Sequence, residues 1–467
     1  MKMWPGRFRQ PLDPDFERWQ RSFNFDRRLL GHELAASGAH ARALKNAGIL
    51  SADELISILQ GLEQIGERAT ASPSFLDDIE AEDVHHFVEK QLVALTGETG
   101  YKLHSGRSRN EQIATDMRLY VRATIDQLRH ELAELCGVLV DRADQAGDAA
   151  MPAYTHLQRA EPVLLGHWLL AYVEMFLRDA GRLADCRERL NVCPLGSGAV
   201  AGATLSLDRA LMADTLGFDG ATANSIDATS DRDFALEFVN ALSLLALHLS
   251  RWAEEMILFS SQEYSFLVLP EAYSTGSSAM PQKKNADLLE LVRGKSGRVL
   301  GNAIALMVAV KGLPLAYNKD LQETQEPVFD SSDTLLQMLP LVAGWMKAVE
   351  LNKERMHQAA QSGFMNAWAA ATYLVKRGVP SRLAHERIGK AVQICIERSC
   401  ELQDLPIEEL QSLSPAFDQD FYESLKLVSV LAVHDVPGGT APARVRHAIS
   451  VTRKRIESLR EEVHAHA

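Results

Sequence analysis

Residues 231–268 contain neither glycine nor proline. Within them Phe238, Leu242, Leu245, Leu249, Trp252, Met256 and Phe259 recur at alternating steps of four and three. A strand alternates every second side chain between its faces, so it cannot gather this set on one side; a helix can. The spacing predicts a long helix whose heptad seam packs along its neighbours for the whole stretch.

Other segments follow the same rule. Leu119, Ile125, Leu128, Leu132, Leu135 and Leu139 form a stripe within residues 110–150. Pro162 sits where a first helical turn tolerates it, and an apolar run follows to Leu190. A fourth long segment begins after Asn285 and carries Gly294, Gly297 and Gly301, which cost helix propensity but admit a closely packed neighbour. Strand signals are poor, with no sustained β-branched alternation and no series of Asn-Gly turns. The fold class is therefore all-α. A chain of 467 residues exceeds one ordinary core. We divide it into an N-terminal helical domain (1–107), a central bundle of long helices (108–355) and a C-terminal helical domain (356–467). Helices this long expose more apolar surface than one chain covers, which predicts oligomerisation.

Composition narrows the function. The net charge of -13 argues against a general nucleic-acid or membrane-surface binder, which needs surplus Lys and Arg. The opening MKMWPGRFRQPLDPDF lacks the apolar core of a leader, and no apolar run reads as long enough to cross a bilayer, so the cytoplasm is expected. The five cysteines are scattered without a CxxC pair, which disfavours a disulfide framework or structural zinc. The closing HAHA reads as disordered surface.

Four polar clusters interrupt the helical pattern: LHSGRSRNEQ (103–112), YTHLQRAEP (154–162), NSIDATSDRDF (224–234) and STGSSAMPQKKN (274–285). Each falls in a loop or at a helix start, where unpaired N–H groups and partial positive charge seat an anion. Any one of them alone reads as caps and solvated turns, with Ser108, Asn110, Ser230 or Asp231 as N-caps. Together they hold more Arg, Lys, Asn and His than capping needs, and point to a small anionic ligand such as a dicarboxylate. His156, beside Thr155 and Gln158, reads as a proton-transfer group. Adjacent His85 and His86 face different sides of a helix, so no metal pair is expected. GSGAVA (196–201) matches a loose dinucleotide fingerprint but lacks the preceding strand.

The clusters also carry a resemblance. GSSAMPQKKN is similar to the signature loop of the aspartase/fumarase superfamily, and its Gln-Lys-Lys-Asn ending resembles that of the argininosuccinate lyases. HSGRSRNEQIATDMRLY, YTHLQRAEP, NSIDATSDRDF, GLPLAYNKDLQE and GGTAPARV resemble segments of the same family, in the same order across most of the chain. The resemblance implies a central bundle of long helices shared in a homotetramer, with active sites built from three subunits. It also implies cofactor-free, metal-free, reversible elimination of fumarate from argininosuccinate, giving arginine for its biosynthesis; the partners are small molecules, not nucleic acid or membrane. By motif position, Ser277 and His156 form the acid–base pair, with Ser277 favoured as base and the order left open. Lys283 stabilises charge and a buried Glu290 pairs with His156. Ser108, Arg109, Asn110, Thr155 and Asn285 match contacts to the fumarate half; Ser22, Arg232, Tyr317 and Gln322 match positions near the arginine half. The chain departs from the family pattern at Gln325, where Lys is commoner and contacts a substrate carboxylate. It departs also at Ala286, Glu161 and Glu111, where Pro, Gln and Asp are commoner.

Overall fold

The computed structural model describes residues 10–78 and 80–466. Of the opening MKMWPGRFRQPLDPDF, residues 1–9 lie outside the described residues. Six helices of 24 residues or more carry the architecture: Arg109–Ala146, Leu165–Leu190, Asp233–Ser260, Asp287–Val310, Gln325–Ala348 and Pro442–His466. Shorter helices fill the rest, and the only ladders among the described residues are four two-stranded ones. The all-α class holds. Contacts divide the chain into two compact units, one running up to Leu128 and continuing with Gly181–Leu244 and Gly297–Leu335, the other comprising Arg129–Ala180, Leu245–Ser296 and Leu336–Ala467. Every cut falls inside a long helix.

The seam of the helix Asp233–Ser260 behaves as its spacing requires: none of its seven residues is more than 3% exposed. By length and composition this helix is apolar enough to span a membrane, which corrects the reading of the sequence; half of that apolar window is buried in the protein instead. The helix also stops before Val268. The hydroxyls of Ser260 and Ser261 donate back to the carbonyls of Ile257 and Leu258 (2.9 and 2.7 Å), and Ser265 takes a left-handed conformation (φ 55°). Leu267–Val268 then pairs with Glu350–Leu351.

Capping sets the helix Arg109–Ala146. The Ser108 hydroxyl accepts from Asn110 N–H (3.3 Å), and the Glu111 carboxylate accepts from Ser108 N–H (3.0 Å), a reciprocal cap. Gly147, at φ 60°, ends it in the conformation glycine adopts without penalty. The next segment departs from the helical reading. Ala150–Thr155 and Gln158–Leu164 form an antiparallel hairpin, and Pro162 lies opposite Pro152 inside it. Neither proline donates to the ladder, and the register shifts beside them. The helix expected from Pro162 begins at Leu165. The last helix, Pro442–His466, carries the HAHA end into regular structure, so that segment is not disordered through His466.

One buried polar cluster interrupts the apolar interior. Glu33 sits in a face of small residues on the helix Leu30–Asn46 and is 1% exposed. Its carboxylate meets the Ser37 hydroxyl (2.6 Å), Gln112 Nε2 (3.1 Å), His85 Nδ1 (2.9 Å) and the Arg107 guanidinium (3.8 Å). Burial opposes its ionisation, but the His85 and Arg107 charges outweigh that and hold it well below the usual carboxylate range. Asp116 lies 3.6 Å from His85 Nδ1, and burial, then the Glu33 charge, push its carboxyl well above the ordinary 3.8. The folded protein thus keeps a proton that the unfolded chain releases. The stability this supplies is complete below the unfolded value and is lost as pH rises through the folded one.

Two outcomes follow. Asp116→Asn keeps a donor without the titration, so its Tm relative to wild type should climb as pH goes from about 5 to about 9; a flat difference refutes the protonated state. Trp252, fully buried and set edge-on to Trp345 at 5.3 Å, anchors the seam. Trp252→Ala should lose about 3–5 kcal/mol, read as a lower urea midpoint.

Candidate active site

The signature loop is pinched at its base. Thr275–Gly276 pairs antiparallel with Lys284–Asn285, in the register Thr275 to Asn285 and Gly276 to Lys284. Asn285 Nδ2 braces the ladder through Gly276 O (3.2 Å) and Thr275 Oγ1 (3.4 Å), and the Thr275 hydroxyl donates to Asp287 in the first turn of the helix Asp287–Val310. Residues 277–283 therefore form a closed loop fixed directly before a helix start. Within it the half-buried Ser277 accepts two backbone N–H bonds at Oγ, from Ala279 (3.3 Å) and Met280 (3.2 Å). Both donors favour negative charge on that oxygen. The two lysines divide their work: Lys284 Nζ donates to Leu269 O (2.8 Å), whereas Lys283 is exposed.

His156 occupies the tip of the hairpin. Thr155 pairs with Gln158, so His156 and Leu157 form a two-residue loop, and both have positive φ (55° and 57°). That is the type I′ geometry usually given to Asn-Gly. Neither residue is glycine, so the turn holds strain on the order of 1–2 kcal/mol per residue. Arg159, on the returning strand, donates to Ser362 Oγ (2.9 Å) and Ala359 O (3.3 Å), which anchors the strand behind the turn. Thr155 and His156 are exposed. So is Glu290, expected to be buried, and no hydrogen bond or ion pair among the described residues joins His156 to Ser277, Lys283 or Glu290.

The remaining expected residues fall into two groups. Ser108, Arg109 and Asn110 stand together at the start of their helix, half-buried, with Arg109 Nη1 on Asp83 Oδ2 (2.8 Å). Elsewhere Arg232, 1% exposed, spends Nη1 on Asp231 O (2.7 Å) and leaves Nε and Nη2 without protein partners. Burial pulls its pKa down to about 10, and Tyr317 stands close enough to oppose that shift electrostatically. Two unmet guanidinium donors are an anion seat. The Ser22 hydroxyl donates to Asp26 Oδ2 (2.6 Å), while burial and the Asp83 charge raise Asp26 to about 7. Gln322 Nε2 donates to Gln20 O (3.2 Å) on the wall of a cavity of about 1060 Å³. Gln325, where the family has Lys, is 3% exposed with its carbonyl oxygen unpartnered.

The sequence reading missed the carboxylates behind these side chains. Asp26 and Asp83 hold Ser22 and Arg109, and Glu33, His85 and Asp116 lie deeper. These last three are the one group among the described residues whose donor atoms fall within 4.8 Å, close enough for a metal ion. The Arg107 guanidinium, 3.8 Å from Glu33, already sets a positive charge beside them. Glu33 was detectable as a lone acid on a face of small apolar residues; its partners come from distant segments and left no local signal.

The chain matches known proteins along most of its length. A lyase family model matches residues 6–301, and a model of the argininosuccinate lyase C-terminal region matches residues 364–432. The chain is 58% identical over 467 residues to the argininosuccinate lyase of Koribacter versatilis (strain Ellin345), covering 100% of both. It is 57% identical over 464 residues to that of Acidobacterium capsulatum, covering 98% of this chain and 96% of the other. Among solved structures, EDDS lyase in complex with formate superposes with a TM-score of 0.84 at 26% identity, over 97% of this chain and 92% of that one. By sequence and by fold the chain belongs to the argininosuccinate lyase family of the aspartase/fumarase superfamily, and it is a carbon–nitrogen lyase.

Proposed function

We propose that this lyase eliminates fumarate from argininosuccinate in the cytoplasm, reversibly and without a cofactor, with Ser277 as the base and His156 as the acid. Removing a proton next to a carboxylate drives a second negative charge into that carboxylate, so the site must supply a base, a stabiliser and an acid for the leaving nitrogen. The observation that carries the assignment is the pair of backbone N–H groups converging on Ser277 Oγ, which lowers the cost of the alkoxide. Lys283 and the helix start behind it add positive potential, and Asn285 faces the substrate carboxylate. His156, held at a strained turn, delivers a proton to the departing guanidino nitrogen. Its partner Glu290 comes from another subunit, in keeping with the absence of a bond between them inside one chain.

Ser108, Arg109, Asn110 and Thr155 bind the fumarate half. Ser22, Arg232, Tyr317 and Gln322 bind the arginine half, and the unmet donors of Arg232 suit its carboxylate. Gln325 substitutes a neutral amide for the usual ammonium, which weakens binding more than turnover. We read the chain in three domains, 1–107, 108–355 and 356–467; the C-terminal family match supports the last of these.

A homotetramer accounts for a second stripe on the helix Asp287–Val310. Gly294, Gly297, Gly301, Ile304 and Val308 recur at steps of three and four; Ile304 and Val308 are 56% and 61% exposed. A Cβ added at any of the three glycines would meet nothing within the chain. The close approach these glycines permit is therefore to another copy.

Ser277→Ala and His156→Asn should each abolish fumarate release, followed by its ultraviolet absorbance, with assembly unchanged; near-normal activity in either refutes its role. Gly301→Leu adds bulk at a position where a Cβ meets nothing in its own subunit. It should reduce the mass seen by light scattering while helicity persists, and an intact tetramer would remove this helix from the interface.

A further inference from the structure

The segment GSGAVA (196–201) follows a two-residue strand, Val192–Cys193, that the sequence reading did not expect, and it is tied down at every level. Arg209 secures its base, donating from Nε to Leu195 O (2.9 Å) and from Nη2 to Ser197 Oγ (3.2 Å). Cys193 and Leu195 pack in a core cluster with Leu119 of the helix Arg109–Ala146. Gly198 has φ 61°, and a Cβ there would lie 2.7 Å from Gly202 O, so the turn admits only glycine. Residues 193–198 are buried, whereas Ala199, Val200 and Ala201 are exposed. The exposed tip is held from two sides, by Asn110 Nδ2 on Ala199 O (3.2 Å) and by the Ser225 hydroxyl on Val200 O (2.9 Å).

Glu111 connects this loop to the helix start. Its side chain is fully buried, with Oε1 accepting from Ser108 N–H (3.0 Å) and Oε2 from Gly198 N–H (3.0 Å). Each oxygen of one rigid carboxylate thus holds a different segment. No ligand contact is needed for Glu111 to matter, because a shift at either end moves the other.

We infer that Glu111 is a positioning residue: it locks the loop tip Ala199–Ala201 against the helix start bearing Ser108, Arg109 and Asn110, and the tip thereby walls the subsite for the dicarboxylate half of the substrate. This rests on the proposed assignment of Ser108, Arg109 and Asn110 to that half. A glutamine at 111 has one acceptor oxygen, and its amide N–H₂ would confront a backbone donor. An aspartate keeps both acceptors but is one methylene shorter, so it reaches the two N–H groups less well.

The test uses the full-length enzyme, succinate as the dicarboxylate probe in calorimetry, and steady-state kinetics with argininosuccinate. Glu111→Gln should weaken succinate and raise KM about tenfold with kcat changed less than about twofold, and Glu111→Asp should weaken succinate by only about threefold. A Glu111→Gln variant that loses only thermal stability, with KM and succinate affinity unmoved, overturns the inference. Should that variant fail to fold, Glu111→Asp decides: about threefold weaker succinate supports the strut and an unchanged constant overturns it. Asn110→Ala separates the two readings. If it leaves succinate binding intact, the subsite assignment falls and the inference with it; if it weakens succinate while Glu111→Gln does not, the inference alone falls.

Discussion

The heptad seam of the helix Asp233–Ser260 is the constraint from which the rest follows. Seven large side chains on one face, each nearly excluded from water, demand a neighbour along the whole length of the helix. Parallel or antiparallel long helices are the arrangement that supplies one. The same logic applied to the helix Asp287–Val310 gives the opposite local result, because its glycine-bearing stripe remains uncovered in the chain. One helix buries its stripe within the chain and the other leaves its stripe exposed, with Ile304 and Val308 at 56% and 61%. The proposed tetramer would then be a consequence of helix length and patterning rather than an addition to the fold.

Helices this regular have no polar backbone to spare along their shafts. Groups able to hold an anion or move a proton must collect where helices begin and where the chain turns between them. That explains why the four polar clusters fall where they do. At the signature loop, a short ladder, a bracing asparagine and a threonine–aspartate contact bring the chain into the helix start at a fixed angle. The serine hydroxyl is aimed by backbone donors rather than by a side-chain base. Such a site keeps its electrostatics without reorganising as charge develops.

Much of this was legible before any coordinates. Both apolar stripes, the helix starts at Arg109 and Asp287, and the clustering of chemistry in loops follow from spacing and composition alone. In the two strand-forming segments long-range pairing overrides local preference. YTHLQRAEP reads as a loop before a proline-started helix, but its strands gain a ladder that no short window reveals. Residues 261–268 keep a helical composition, yet the serines bond back to the preceding turn and Leu267–Val268 finds a partner more than eighty residues away. Charged residues inside the protein were hardest to foresee. A buried glutamate is tolerable only when donors from several distant segments converge on it, and that convergence exists only in the folded chain.

The hairpin at His156 shows how one such departure bears on the proposed function. A sequence free to choose would place Asn-Gly at a two-residue turn with positive φ. This chain instead keeps an imidazole and an exposed leucine there, Leu157 at 67% exposure, and tolerates the backbone strain. The strands on either side pair, and Arg159 anchors the return strand to Ser362, so the turn cannot relax by unwinding. Strain held in place by its surroundings fixes the direction of the side chain it carries. For the proton-transfer role proposed for His156, that fixed direction counts for more than local stability.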